Sequence, residues 1–341
     1  MSKYRTLRLL AALPLAFAVT AAAPAQAGAV ADFYKGKNIT IFVGAGAGGG
    51  YGLYTRVLAE FLSRHIPGNP TITPKFMSGS AGVKMANYFY NVAPKNGTAL
   101  GIPLSSIATS EATGRKGVKY QSAKILWLGR MVDIVTVVTV KRSASINSID
   151  DLMGKELVAG STRPGSTTHL PYAILNWALG TKIKIVTGYK GSGGVAMAFD
   201  QNEIQSAAAP WGTLRARRPH FFEDVQLVQI ALAKDRQGQN VPLLLDLIKD
   251  PAKKAAVRFL SAQASIGRTL IAPPGMPNDR MAAIEKAFAA TMRDPAFLSM
   301  TKKRKMDINP LGRKALQAMV REHLNTPSAI VKMAKIAAGM K

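Results

Sequence analysis

The stretch Ile39–Arg56, ITIFVGAGAGGGYGLYTR, limits what this chain can become more than any other. A short apolar run, Ile39–Val43, leads into Gly44, Gly46, Gly48, Gly49 and Gly50. Leu53, Val57, Leu58 and Phe61 then recur at helical spacing. A strand, a glycine loop and a helix N-terminus in that order make an anion site. The first helical turn points free N–H groups outward, and the helix dipole adds partial positive charge there. Glycines let a ligand approach the backbone closely.

The same order repeats along the chain. After the breaker Pro67-Gly68-Asn69-Pro70, Thr71–Met77 reads as a strand despite Pro74, and Ser78-Gly79-Ser80-Ala81-Gly82 forms a second small-residue loop. A helix over Val83–Val92 and a strand over Ala99–Leu104 follow, the strand ending at Ser105 and Ser106. The β-rich run Lys124–Val140 is long enough to leave one domain and enter another. Beyond it, Ser148 with Asp151 starts a short helix, and Glu156–Gly160 runs into Ser161-Thr162-Arg163-Pro164-Gly165-Ser166-Thr167. A helix over Thr168–Leu179, the strand Lys182–Val186 and the loop Gly188–Gly194 come next. A helix over Val195–Asp200 and the strand Gln205–Ala209 complete the repeat. Strand–loop–helix repeats imply parallel, helix-covered sheets, whose ligands sit beyond the carboxyl ends of the strands.

Val225–Leu232 reads as a further strand, with helices over Pro242–Ile248 and Pro251–Ala262. Arg268–Ala272 is extended and suits a return crossing. Asn278 is expected to cap a helix over Asp279–Met292, and helical segments broken near Pro310 and Pro327 reach the C-terminus.

The front of the chain reads as an export signal. Lys3, Arg5 and Arg8 precede the apolar stretch Leu9–Val19, and Ala25-Gln26-Ala27 has the small-x-small form of a cleavage site. Cleavage after Ala27 removes 27 of the 341 residues and three of the +26 charges, leaving +23. Without cysteine there is neither a disulfide nor a lipid-anchor site, so the mature chain is expected to be soluble and held by core burial.

A charge of +23 suits acidic partners. Aromatic content is 7%, no base-stacking motif is present, and exported proteins rarely meet nucleic acid, so nucleic acid is not an expected partner. The basic runs Arg215–Arg218 and Lys302–Lys305 read as solvated faces.

Gly44-x-Gly46-x-x-Gly49 matches a dinucleotide fingerprint, but that site needs an acid about 20 residues on. Residues 61–110 contain no Asp or Glu, while Arg64, Lys75, Lys84 and Lys95 favour an anion over a sugar hydroxyl. No nucleophile elbow or P-loop lysine occurs. His65, His169, His220 and His323 lack metal-ligand spacing, and His169 reads as a capping or surface residue more readily than as a ligand contact. No catalytic residue, metal or cofactor is expected. Hydroxyls of Ser161, Thr162, Ser166, Thr167 and Ser192, with backbone N–H groups, suit carboxylate binding without chemistry.

In their order and spacing, several pieces resemble the extracytoplasmic solute receptors of tripartite tricarboxylate transporters, the Bug family. These are GAGAGGGYGLYTR, HIPGNP, SGSAGVKMANYFYNVAPKNGTALG, LGRMVDIVTVV, GSTRPGSTTH, GYKGSGG and APPGMP before MRDPAF. The resemblance implies an α/β, two-lobed periplasmic binding protein fold. Each lobe would be a mostly parallel sheet flanked by helices, and two crossover strands would join them. The expected division is residues 1–27 signal, 28–130 plus 268–341 first lobe, and 131–267 second lobe.

Carried over by resemblance, carboxylates would be held by Gly48, Gly49, Gly50 and Tyr51, and by Ser78, Gly79, Ser80 and Ala81. On the second lobe the same role would fall to Gly165, Ser166 and Thr167 with Lys190, Gly191, Ser192 and Gly193. Ser105 and Ser106 join them at the same strand ends, and Arg163 in the hydroxyl loop is either a further ligand contact or a surface residue. The family often carries Asp or Thr where Gly52 stands, and PGAGG where Ser78–Gly82 stands. The implied function is periplasmic capture of a small carboxylate by a monomer, for the membrane components of a tripartite tricarboxylate transporter or for a sensor. The alternative is an exported enzyme acting on an acidic substrate.

Overall fold

The structure is a computed structural model that describes residues 23–219, 225–229 and 243–340. The leader Lys3–Val19, His220, Pro242 and the end of the expected strand Val225–Leu232 lie outside the described residues. The expected cleavage point at Ala27 falls within the first described helix, Ala23–Tyr34.

Eleven strands are described: β1 Asn38–Val43, β2 Thr71–Phe76, β3 Ala99–Ile102, β4 Leu126–Val132, β5 Thr136–Lys141, β6 Glu156–Gly160, β7 Lys182–Val186, β8 Ser206–Pro210, β9 Val225–Gln229, β10 Arg268–Ala272 and β11 Leu311–Gly312. They form two sheets, in the orders β11-β4-β10-β3-β1-β2 and β7-β6-β8-β5-β9. The βα repeats supply the parallel centres, β2-β1-β3 and β7-β6-β8. The crossing strands run antiparallel to them: β10 to β3 and β4, and β5 to β8 and β9. Both sheets are therefore mixed, because a chain that crosses between lobes and returns must reverse direction. Pro74 is tolerated because β2 is an edge strand with one neighbour.

The first sheet is covered on both faces. Ile39, Ile41 and Val43 of β1 join a core with Leu58, Phe61, Ile284, Phe288 and Phe297. Phe42, between them on the opposite face, joins Phe89, Trp127, Ile271 and Leu316. This alternation follows from the two-residue period of a strand. The second lobe has its own core around Val138, Leu157, Tyr172, Leu175, Val257 and Leu260. Ala334 and Ala337 of the C-terminal helix Ser328–Ala337 belong to that core.

The run Lys124–Val140 resolves into β4 and β5. Between them Ile134 N–H donates to Ala264 O (2.8 Å), and Trp211 N–H donates to Val135 O (2.7 Å). The crossing is thus bonded to the second lobe as soon as it leaves the first sheet.

The expected cap at Ser148 forms. Ser148 accepts from Asp151 N–H (3.0 Å) and Asp151 accepts from Asn147 N–H (3.0 Å), capping Ile149–Gly154. Asn278 does not cap; Pro277 occupies that position of the helix Asn278–Thr291, with no side-chain bond. The helix expected from Thr168 begins at Leu170, and the one expected from Pro242 is reduced to Leu244–Leu247.

Candidate functional site

The glycine loop ends where expected. Gly49 is the extended N-cap residue of the helix Gly50–His65, and Leu53 N–H donates to Gly49 O (3.1 Å). A Cβ placed on Gly52 would lie 2.1 Å from Ala47 O, so the loop folds back over the helix there and excludes the Asp or Thr of the family pattern. Arg56 secures the same turn by donating to Ala47 O (3.2 Å). Tyr51 Oη accepts from Ser105 N–H (3.0 Å), which ties this loop to the end of β3.

The second loop is backbone-strained. Gly79, Ser80, Ala81 and Gly82 have φ values of 140°, 47°, 53° and 88° in succession. Ser80 and Ala81 each pay roughly 1 kcal/mol or more for the left-handed region. The surrounding structure helps to hold them: Ser106 Oγ donates to Ala81 O (3.3 Å). Ser78, Gly79 and Ser80 are exposed.

On the second lobe, the hydroxyl loop is folded on itself around Thr168, which precedes the helix it was expected to open. Thr168 Oγ1 lies 3.0 Å from Ser166 Oγ, 3.1 Å from Thr162 Oγ1 and 3.3 Å from Ser161 Oγ, and accepts from Thr162 N–H (3.0 Å). Ser161, Ser166 and Thr168 are buried, whereas Thr167 faces solvent. Arg115 approaches from the other half: its Nη1 lies 3.9 Å from where a Cβ on Gly165 would stand. Burial, and secondarily the charge of Arg115, pull the pKa of Arg163 below its ordinary value. His169 is the N-cap residue of Leu170–Leu179 without a side-chain cap bond; its Nδ1 is buried without a hydrogen bond, and burial lowers its pKa.

The fourth loop starts a helix earlier than expected, at Gly191 rather than Val195. Gly191, Ser192 and Gly193 are therefore first-turn residues of Gly191–Asp200, with exposed Lys190 at the N-cap. This second helix N-terminus meets the first across the cleft: a Cβ on Gly49 would lie 3.6 Å from Ser192 Oγ.

Beneath that meeting point sits a side chain of the returning strand β10. Arg268, the first residue of β10, is 2% exposed. Its Nη2 donates to Thr213 Oγ1 (3.0 Å) and stands 2.7 Å from the Cβ position of Gly50. Its guanidinium lies 4.4 Å from the ring centre of Tyr54 and 5.3 Å from that of Tyr51. Beside it is a cavity of ≈ 130 Å³ whose lining includes Tyr54, Asp133, Trp211, Gly212, Arg268 and Asp307. Tyr54 Oη donates to Asp307 O (2.9 Å), and Arg215 forms an ion pair with the Asp307 carboxylate. Burial raises the pKa of Asp307 against the opposing pull of Arg215 and Arg268. Arg215 also lines an open groove with Lys302 and Lys305, so the two basic runs meet in space; Arg215 is paired with Asp307 and Arg218 with Asp200.

A charged residue heading an otherwise apolar strand was the available signal for Arg268. Thr213 carried none, because its partner comes from a distant strand; Thr168 bonds within its own loop, but no local spacing marks it over Thr167.

Comparison with known proteins agrees with this architecture. No curated protein matches the sequence. Among solved structures, periplasmic binding protein BugD is similar with a TM-score of 0.71 at 17% identity, covering 90% of this chain and 99% of that one. An R. palustris protein with adipate gives 0.68 at 18% identity, covering 87% and 97%. MatC from Rhodopseudomonas palustris with bound malate gives 0.66 at 15%, covering 88% and 99%. At these identities the likeness establishes the two-lobed α/β binding-protein fold. The family model of the tripartite tricarboxylate transporter family receptor, TctC, matches residues 55–336. With most of its length inside that match, the chain belongs to the TctC family of tripartite tricarboxylate transporter receptors.

Proposed function

We propose that this protein is a periplasmic receptor that closes on a small carboxylate between its two lobes. One observation carries the reading: the N-termini of Gly50–His65 and Gly191–Asp200 converge from opposite lobes, Gly49 against Ser192, with a buried arginine beneath. Both helix dipoles and their free N–H groups favour negative charge at the same place. Four or five charge-assisted hydrogen bonds, each worth roughly 1.5–3 kcal/mol, less the cost of ordering, leave about 8 kcal/mol, a micromolar dissociation constant.

Malate and adipate, carried by two structural relatives, are natural probes. The candidate contacts are Gly48–Tyr51, Ser78–Ala81, Ser105, Ser106, Arg163, Gly165–Thr167 and Lys190–Gly193. The chain would be exported through its leader with cleavage near Ala27, act as a monomer, and deliver its ligand to membrane components of a tripartite tricarboxylate transporter or to a sensor. No turnover is expected.

The test is a thermal-shift screen of the mature protein against mono-, di- and tricarboxylates at low and moderate salt. A ligand that binds only the folded state raises the melting temperature with its concentration. A selective shift that survives moderate salt supports the receptor reading. A uniform shift by every polyanion, lost with salt, would mean that surface charge alone is acting.

A further inference from the structure

We propose that Arg268 is the specificity-determining residue of this cleft. Its guanidinium would take one carboxylate of the ligand together with the first-turn N–H groups of Gly50–His65 and the Thr213 hydroxyl. The inference rests on the receptor reading above and deepens it by naming a required feature of the ligand: a full negative charge at the glycine loop.

Arg268 is buried, yet its recorded hydrogen bond goes to a hydroxyl, and among the described residues it forms no ion pair. Its Nε is buried without a hydrogen-bond partner. The acid whose charge it feels, Asp307, is bonded by Arg215 instead. Tyr54 and Tyr51 cover the guanidinium and recover part of the cost of burying a charge. They supply no anion, and the Asp307 carboxylate acts on Arg268 only through space, so the buried guanidinium lacks a bonded counter-charge, which is costly. The planar fork is suited to bidentate recognition of a carboxylate.

Position favours the ligand over a merely structural role. Nη2 lies 2.7 Å, and Thr213 Oγ1 2.4 Å, from the position a Cβ would take on Gly50. The guanidinium and the hydroxyl therefore press on the first turn of Gly50–His65, where its N–H groups are free of intrahelical partners. β10 also returns the chain from the second lobe, whereas Thr213 belongs to that lobe. An anion held at this point would bond groups from both sides of the crossing.

The experiment uses the mature full-length chain and titrates L-malate, adipate and benzoate, each beside its amide, by calorimetry. The wild-type protein should bind at least one acid and strongly prefer it to the amide. Arg268→Gln should lose about 10- to 100-fold in affinity for that acid, the range for one charge-assisted contact. It should also lose the preference for acid over amide, which a purely structural arginine would leave intact. Arg268→Lys, which keeps the charge without the fork, should fall between. If Arg268→Gln does not fold, Thr213→Val takes its place and should weaken the acid several-fold.

A wild-type protein that binds an acid, with either neutral variant binding it equally well, would overturn the role of Arg268 and leave the receptor reading standing. A wild-type protein that binds none of the acids would overturn both.

Discussion

The first-lobe face of the cleft offers backbone and one buried charge; the second-lobe face offers a hydroxyl loop already bonded to itself. Around Gly49 and Gly50 the chain is stripped of side chains, and Arg268 and Thr213 fill the space a Cβ would take. Around Thr168, three neighbouring hydroxyls share one oxygen and are buried or half-buried. The contrast separates two jobs. A face with helix-terminal N–H groups and a guanidinium can hold an anion. A face whose hydroxyls are mutually satisfied can present a fixed shape at little cost in ordering.

The comparison breaks most severely at Gly52. Gly52→Thr must displace Ala47 O, which would lie 2.1 Å from the new Cβ. A destabilisation of about 3 kcal/mol in denaturant unfolding is expected, with loss of carboxylate binding. A well-tolerated threonine would show that the glycine loop has no required conformation.

Next in size is a buried histidine where the helix Arg313–Leu324 packs on Pro251–Ile266. His323 stacks on Phe259 at 4.5 Å between ring centres, lies 2.9 Å from Thr109 Oγ1, and has its pKa pushed down to about 4 by burial. Its neutral form is favoured in the folded state, while the unfolded chain protonates near 6.5. This contribution is fully present above pH 6.5 and is lost as pH falls toward 4. About 2 kcal/mol should be gone by pH 5, to be seen as a drop in unfolding midpoint that His323→Phe reduces.

On the second-lobe face, Thr168→Val removes the shared oxygen and leaves the buried Ser161 and Ser166 hydroxyls short of a partner. Ser161 and Ser166 keep only their long bond to each other (3.4 Å), so about 1 kcal/mol of destabilisation is expected, with a weaker effect on ligand affinity than Arg268→Gln. The neighbouring substitution Thr167→Ala should change stability by less than about 0.5 kcal/mol, because Thr167 is exposed. Equal effects at 167 and 168 would dissolve the distinction between an organising hydroxyl and a surface one.

Most of the element order was legible. Short apolar runs ending in glycine or serine loops gave the strands, and the capping of Ile149–Gly154 was readable from Ser148 and Asp151 because both partners lie within one turn. The expected start of Gly191–Asp200 was late because four residues of Gly-Ser-Gly-Gly read locally as a loop; packing beneath Val195, Ala198 and Phe199 accompanies the longer helix. The antiparallel placement of β5 and β10 was not written in their apolar patterns, which are the same for either direction.

The sequence by itself determined most of the strands and helices and where glycine- and hydroxyl-rich loops lie, and, with the family resemblance, it made export and carboxylate capture the expectation. These are consequences of local spacing, of a few bonds within one turn, and of overall charge. Only the tertiary structure decided that Gly49 faces Ser192, that Thr168 rather than Thr167 organises the hydroxyl loop, and that Arg268 lies beneath the glycine helix. The Gly49–Ser192 and Arg268–Thr213 pairings join elements of different lobes, and Arg268 meets Gly50 from a distant strand, while the Thr168 bonds close one loop whose shape no local spacing sets. Their chemistry exists only once the two sheets are built and the crossing strands have set one lobe against the other.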